Sequence, residues 1–345
     1  MVEVKMDSDL KPTVILLMRK SRPSGYSIER LFNNLEPHLS QSCNVSMIEV
    51  PSFGTTPFGF IRNLIFTRRL KADVIHVTGD IYYCALAIPR NRCVLTILDL
   101  VTIRRLAGLR RRIFTFFWFT GPLWWARYIT TISEDVQQQL KAEFPKLDLN
   151  VSVIACCVDG IFGQCPREYR PIPPKPHFLI VGTTENKNLQ RVAQAVSRVP
   201  GDLRIIGPLT QNQRDFLVSL RLDWSCAQQL SADQLVSEYR ASDVLIFAST
   251  YEGFGLPILE AQLNELPVIT SDIEPMASVA GDGAVLVDPF SVDDIHDGIL
   301  KLRDDPILSE RVIAKGRINA SRYSPQTIAS AYVSYYTSIA SLRLD

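Results

Sequence analysis

The stretch ASDVLIFASTYEGFGLPILEAQLNELPVITSD, residues 241–272, decides the fold. VLIF (244–247) and PVIT (267–270) are short apolar runs of the kind that fill a strand buried on both faces. Between them, Gly253 and Gly255 break the chain and Pro257 stands near a first helical position, where its missing N–H costs nothing. A strand, a short helix and a second strand joined this tightly form a βαβ unit, which places the two strands parallel.

The alternation continues outward in both directions. AVLV (284–287) follows, and FLIV (178–181) and LRII (203–206) precede. Nearer the start stand TVILLM (13–18), VSMIEV (45–50), VIHV (74–77), VLTI (94–97), YITTI (128–132) and VSVI from Val151, with helical patterns between them. Ser27 and Ser133 are placed to cap two of those helices. CPREYRPIPPKPHF (165–178) interrupts the series with five prolines, which push the chain toward extended geometry and mark a linker. The expected fold class is α/β, with two doubly wound Rossmann-like domains, 1–165 and 166–324. A last helix over 325–345, entered through Ser324-Pro325, is expected to pack back on the first domain. Ligands of such sheets bind at the carboxyl ends of the strands, so the expected site is a cleft between the two domains.

Composition excludes several classes. Apolar residues at 46% and charged residues at 21% are ordinary for a globular chain and rule out disorder, collagen and a coiled coil. The net charge of +1 hides an asymmetry: residues 1–150 hold 20 Lys and Arg against 13 Asp and Glu, while residues 151–345 hold 17 against 23. Nucleic acid is not expected as a partner. Seven cysteines without a CxxC read as reduced thiols in a cytoplasmic protein. The start, MVEVKMDSDLKP, has no apolar core of a leader, and the most apolar run, 113–126, is too short to span a bilayer. Four scattered histidines do not suggest a zinc site, and Asp7-Ser8-Asp9 precedes the first strand, so no metal is expected.

No GxGxxG, Walker lysine motif or Gly-x-Ser-x-Gly elbow occurs, and no cofactor is expected. The chemistry lies in Glu252 and Glu260, eight apart around Gly253-Phe254-Gly255-Leu256-Pro257. Glycines let backbone N–H groups approach a ligand, and a helix start favours an anion. Such a loop suits a phosphate and a sugar hydroxyl, and a carboxylate in the first turn can accept from a diol.

On these residues the chain resembles the family-4 retaining GT-B glycosyltransferases of bacterial polysaccharide assembly. STYEGFGLPILEA (249–261), FLIVGTTENKNL (178–189) and PVITSDIEPMASVAGDGAVLVDP (267–289) carry the resemblance, with SIERLF (27–32) and VIHVTGDIYY (74–83) in the first domain. The resemblance implies that Glu252 lies beside the donor sugar and Glu260 binds the nucleotide ribose. It implies that the backbone of Phe254, Gly255 and Leu256 binds hydroxyls and phosphate, and that Lys187 meets the diphosphate. Gly182 and Gly25 would let their loops approach it. The chain departs from the family at Thr183-Thr184, where an arginine is usual, at Ala277-Ser278 and at Ala155-Cys156-Cys157. It departs again at Leu98, where a histidine usually reaches the sugar's outer hydroxyl. Leucine offers no hydrogen bond but packs on a methyl, which points to a 6-deoxyhexose donor such as rhamnose or fucose.

Asp80, after Gly79, and Asp99 are candidate acceptor-side residues; His76 reads as a core histidine. RRLAGLRRRIFTFFWFTGPLWWARY (104–128) puts five arginines in nine residues before a run of aromatics. Arg110, Arg111, Arg112 and Trp124, with Arg104, Arg105, Phe114, Phe117, Trp118 and Trp125, suit an anionic membrane surface. The resulting expectation is a metal-independent, retaining hexosyltransferase, peripheral at the inner face of the membrane. It would use a nucleotide sugar and a lipid-linked or polysaccharide acceptor, as in lipopolysaccharide assembly. An inactive nucleotide-sugar-binding scaffold and a GT-B epimerase are the alternatives.

Overall fold

The structure is a computed structural model that describes residues 11–21, 27–54, 56–164 and 169–342; the side chains of residues 27, 28, 104 and 105 also lie outside the description. The chain divides into two compact units, Met1–Cys157 with Pro325–Asp345, and Val158–Ser324.

The first unit ends at Cys157, ahead of residue 165, where the proline run suggests the boundary. The reason is packing. Cys156 and Cys157 are buried, with the Cys157 thiol 3.8 Å from the Leu31 carbonyl oxygen. The next residue, Val158, donates its N–H to the Tyr323 carbonyl at 2.9 Å and so belongs to the second unit.

The first unit holds β1 (Thr13–Met18), β2 (Asn44–Glu49), β3 (Val74–Val77), β4 (Cys93–Ile97), β5 (Tyr128–Thr131) and β6 (Val151–Val153). They pair in parallel in the order β2-β1-β3-β4-β5-β6. β1, β3 and β4 are buried almost throughout, as continuous apolar runs in a parallel sheet must be. The second unit holds β7 (His177–Val181), β8 (Asp202–Ile206), β9 (Asp223–Ala227), β10 (Val244–Phe247), β11 (Val268–Ser271) and β12 (Val285–Val287). Its order is β12-β11-β10-β7-β8-β9, again all parallel. β9, DWSCA, is the strand the sequence pattern misses. It is an edge strand with an alternating, part-exposed face, so it lacks the apolar run of its neighbours.

In each unit the chain winds outward on one side of its first strand and then returns to build the other. The change of direction falls between β1 and β3 in the first unit and between β7 and β10 in the second. A doubly wound sheet leaves a crevice at that point, where its ligands bind.

The helix Pro325–Ser341 closes the first unit. It buries Ile328, Tyr332, Tyr336 and Ile339, and packs along the helix Ser27–Leu39, where Phe32 and Tyr332 lie 6.0 Å apart. Its anchor is polar. The Tyr336 hydroxyl lies 2.7 Å from Nδ1 of the fully buried His76, whose Nε2 lies 2.5 Å from Thr96 Oγ1. Thr96 continues the chain to Thr130 across β4 and β5. His76 is thus a core residue with both ring nitrogens satisfied.

Burial lowers the His76 pKa from 6.5 to about 3. Between those values the unfolded chain binds a proton that the folded ring refuses, so stability falls as pH drops below 6.5 and His76 adds no slope above it. The slope from this one group approaches ~1.4 kcal/mol per pH unit. Unfolding free energies of the parent and His76→Gln, followed from pH 7 to pH 4, should converge as the parent loses this contribution. Parallel curves would show that His76 takes up its proton without unfolding.

Candidate active site

Two clusters form at the two crevices, one in each unit. In the second unit, the loops after β7 and β10 meet. Lys187 Nζ lies 2.6 Å from Glu252 Oε1, with both side chains largely buried. The ammonium also sits 4.5 Å from the centre of the Phe247 ring, at the end of β10. Asn186 joins the loops a second time. Its Nδ2 donates to the Tyr251 carbonyl at 2.9 Å and to Glu252 Oε1 at 3.2 Å, while the Thr250 N–H donates to the Asn186 carbonyl. Glu252 is therefore a positioned carboxylate. An ammonium has three donors, so with one committed to Glu252, two stay available to a phosphate.

The loop conformation needs two glycines. Gly182 has φ +96°, and a Cβ there would stand 2.8 Å from Lys187 Cε, so only glycine lets the lysine fold back across the end of β7. Gly255, at φ +113°, caps the helix Leu256–Leu263 in the left-handed region, with Pro257 in its first turn. In its first turn Pro257 has no N–H and the Ile258 N–H donates to the Gly255 carbonyl at 3.0 Å, which leaves the Leu256 N–H at the positive dipole end. Phe254 is buried and packs edge-on against Tyr323 at 5.7 Å, which leaves its backbone as the part able to face a ligand. Glu260 is half-buried and its Oε2 accepts from the Tyr239 hydroxyl at 2.6 Å.

Asn188 locks this arrangement. It is left-handed at φ 59° at the head of the helix Leu189–Val196, and its Nδ2 donates to the carbonyls of Ala248 at 3.0 Å and Pro289 at 2.6 Å. One buried amide thus ties together the chain after β7, β10 and β12.

In the first unit, Asp80, Leu98 and Asp99 line one pocket of about 380 Å³, together with Arg19, Tyr82 and Trp118. Arg19 follows β1 directly. Its Nε lies 2.6 Å from Glu29 Oε1 and its Nη1 3.4 Å from Asp80 Oδ2. Burial opposes the Arg19 charge, but the Glu29 hydrogen bond and the Asp80 and Glu29 charges outweigh it and raise the pKa. The Trp118 indole N–H donates to the Asp80 carbonyl, and Asp99 Oδ1 accepts from the Val101 N–H at 2.9 Å. Leu98 is half-buried, and its N–H donates to the hydroxyl of Tyr82. Tyr82 is buried deeply enough that its phenol stays protonated, with the Asp99 charge pushing the same way.

Sequence reasoning brings Lys187 and Glu252 forward as separate contacts; the structure makes them partners. It misses Arg19, Glu29, Asn186 and Asn188. A basic residue immediately after a buried strand is the signal that marks Arg19. Gly25 lies outside the described residues. The aromatic run divides: Phe114 and Trp118 stack on each other, 4.9 Å apart, and turn toward the first-unit pocket instead of a surface. Trp125 is half-buried and donates to the Ile88 carbonyl. Phe117 and Trp124 are exposed, as is Phe116, and Arg110, Arg111 and Arg112 all face outward, with Arg111 paired to Glu143 at 2.7 Å. No helix among the described residues is long and apolar enough to cross a membrane.

Residues 167–319 match the family "Glycosyl transferases group 1", so the second unit carries a domain of that family. The O-antigen chain mannosyltransferase B of Escherichia coli is 29% identical over 231 residues, covering 61% of this chain and 60% of that protein. The chain thus spans about 60% of the length of this relative. Among solved structures, a glycosyltransferase from Rickettsia africae superposes with a TM-score of 0.72 at 16% identity, covering 95% of this chain and 98% of the other. Anabaena HepE in complex with UDP and glucose gives 0.72 at 15% identity, covering 95% and 100%. With two six-stranded parallel sheets, the architecture is GT-B.

Asn188 supplies a test of the lock. Asn188→Gly keeps the left-handed backbone but loses the two amide bonds and the contact in which Oδ1 accepts from Arg191 at 3.0 Å, and should cost ~1–3 kcal/mol in urea unfolding. Asn188→Ala should cost a further ~1–2 kcal/mol for the strained backbone. Equal losses in the two variants would mean that the left-handed conformation is not what constrains this position.

Proposed function

We propose that the protein is a glycosyltransferase that moves a manno-configured hexose, or its 6-deoxy counterpart, from a nucleotide diphosphate to a glycan on a lipid carrier or growing polysaccharide. The observation that carries this reading is the Lys187–Glu252 pair at the crevice of the second unit, beside the glycine-capped start of the helix Leu256–Leu263. A cation, a fixed carboxylate and a helix start within one crevice suit a sugar diphosphate. The family of the second unit and the UDP and glucose of the Anabaena neighbour support a nucleotide-sugar donor. The mannosyltransferase relative supports manno configuration, and the apolar Leu98 supports a methyl at C6.

In this reading the bond from C1 to the diphosphate oxygen breaks as the acceptor oxygen bonds to C1 on the same face. The acceptor proton passes to the leaving phosphate oxygen. Lys187 and the Leu256 N–H after Gly255, at the positive end of its helix, stabilise the negative charge that develops on that diphosphate, and no metal takes part. Glu252 orients the donor sugar, and Glu260 the ribose. The pocket with Arg19, Asp80 and Asp99 receives acceptor hydroxyls. The arginines of 110–112, with Trp124, hold the enzyme at an anionic cytoplasmic leaflet, where a lipid-linked acceptor is presented.

Release of nucleotide diphosphate from a panel of nucleotide sugars, with and without acceptor, tests the activity. Lys187→Ala should weaken donor binding by ~1.5–3 kcal/mol, the loss of a charge-assisted contact, and lower turnover with it. Glu252→Ala should abolish transfer in a folded protein, and near-parent turnover would sink its assignment. Between nucleotide-matched mannose and 6-deoxymannose donors, Leu98→His should shift preference toward the 6-hydroxy sugar. An unchanged ratio removes Leu98 from donor selection.

A further inference from the structure

The helix Pro57–Arg68 is built inside out. An ordinary surface helix turns its apolar stripe inward and its polar face to water. This one buries Gly59, Asn63 and Thr67, and exposes Phe58 at 77%, Ile61 at 55% and Ile65 at 52%. Polar bonds from Asn63 hold the buried face. Asn63 is fully buried, accepts from the Ser52 N–H, and donates to the Ser52 carbonyl and the Tyr83 hydroxyl. The register is therefore fixed, and the apolar residues face outward because the inner positions are taken.

The two segments that form this face carry charge of one sign, although Arg111 pairs with Glu143 from outside them. Residues 50–72 contain Arg62, Arg68, Arg69 and Lys71 and no Asp or Glu, and all four cations are exposed. The face also continues into the aromatic segment. Phe60 lies 5.9 Å from Phe117 and 5.7 Å from Trp118, so the helix adjoins the π-helical turn Phe116–Thr120, where Phe116 and Phe117 are exposed. Residues 100–133 likewise contain no acid and six arginines. A shallow, mainly apolar groove of about 650 Å³ runs beside the helix, lined by Leu64, Ile65, Leu86, Ile88 and Trp125, with Arg68 at its edge.

We propose that the helix Pro57–Arg68 and the segment Gly108–Trp125 form one docking face for an anionic phospholipid bilayer. Phe58, Ile61 and Ile65 enter the interfacial region, and Arg62, Arg68 and Arg69 meet lipid phosphates. This rests on the membrane part of the reading above and deepens it, because that part draws only on residues 104–128. A second copy of the chain fits the face poorly, since pairing two such helices brings their arginines together without a countercharge. An acidic membrane surface supplies both the hydrocarbon and the countercharge.

Sedimentation of the full chain with phosphatidylcholine vesicles, pure or about one-third phosphatidylglycerol, tests this at ~0.1 M salt, where charge attraction still reaches ~10 Å. The parent should bind the anionic vesicles far better than the neutral ones. The triple variant Phe58→Ser, Ile61→Ser, Ile65→Ser should bind about tenfold or more weakly. Arg62→Gln, Arg68→Gln, Arg69→Gln should lose about fivefold per arginine. All these positions are exposed, and circular dichroism checks that the variants fold. If both variants bind like the parent while Arg110→Gln, Arg112→Gln loses binding, the helix is overturned as a docking element and the Arg110–Arg112 reading stands. A parent that binds neither vesicle overturns both. If the parent self-associates in sedimentation velocity and the serine variant does not, the face belongs to a second copy and the proposal fails. The vesicle readout needs no transferase activity, so failure of the donor assay leaves this result intact.

Discussion

The Lys187–Glu252 contact exists because β7 and β10 are neighbours in a parallel sheet, although 65 residues separate the pair. Parallel strands all end at one edge, and at a change of winding direction two adjacent loops part and leave a crevice. Each unit has one such point. In the first it gathers Arg19, Asp80, Leu98 and Asp99 from the ends of β1, β3 and β4. In the second it gathers Lys187 and Glu252. The residues with chemistry in them are thus where the sheet topology leaves room.

Rigidity at the second crevice comes from short-range devices stacked on that topology. Gly182 lets the lysine fold back, Asn188 ties three strand ends together, and Asn186 fixes the loop after β10. The two asparagines act through short side chains that donate to backbone carbonyls. A carboxylate held by two donors before any ligand arrives loses little freedom on binding one, which is what a site acting by charge placement needs. The first unit achieves the same with an ion-paired arginine, whose charge Glu29 and Asp80 stabilise against the cost of its burial.

The first unit also explains the uneven charge of the chain. Ten of its arginines and lysines lie in two acid-free segments, 50–72 and 100–133, that meet at the Phe60–Phe117 contact. The apolar residues there are not core residues that failed to pack. The inner face of the helix Pro57–Arg68 is occupied by Asn63 and its three hydrogen bonds, which excludes a large apolar side chain from that position.

By itself the sequence determined the α/β class, eleven of the twelve strands among the described residues, the loop around Glu252 and the return of the chain to a final helix. It could do so because parallel strands are continuous apolar runs and because glycine and proline mark their turns. It placed Lys187 and Glu252 at loop positions, but only tertiary structure made them partners, since pairing depends on which strands are adjacent. The edge strand β9 stayed hidden because half of it faces solvent and its residues need not be apolar. Arg19, Asn188 and the outward face of Pro57–Arg68 were decided by tertiary structure for a common reason. Whether a residue is buried or exposed is settled by what packs against it, and an inverted helix has the same composition as an ordinary one.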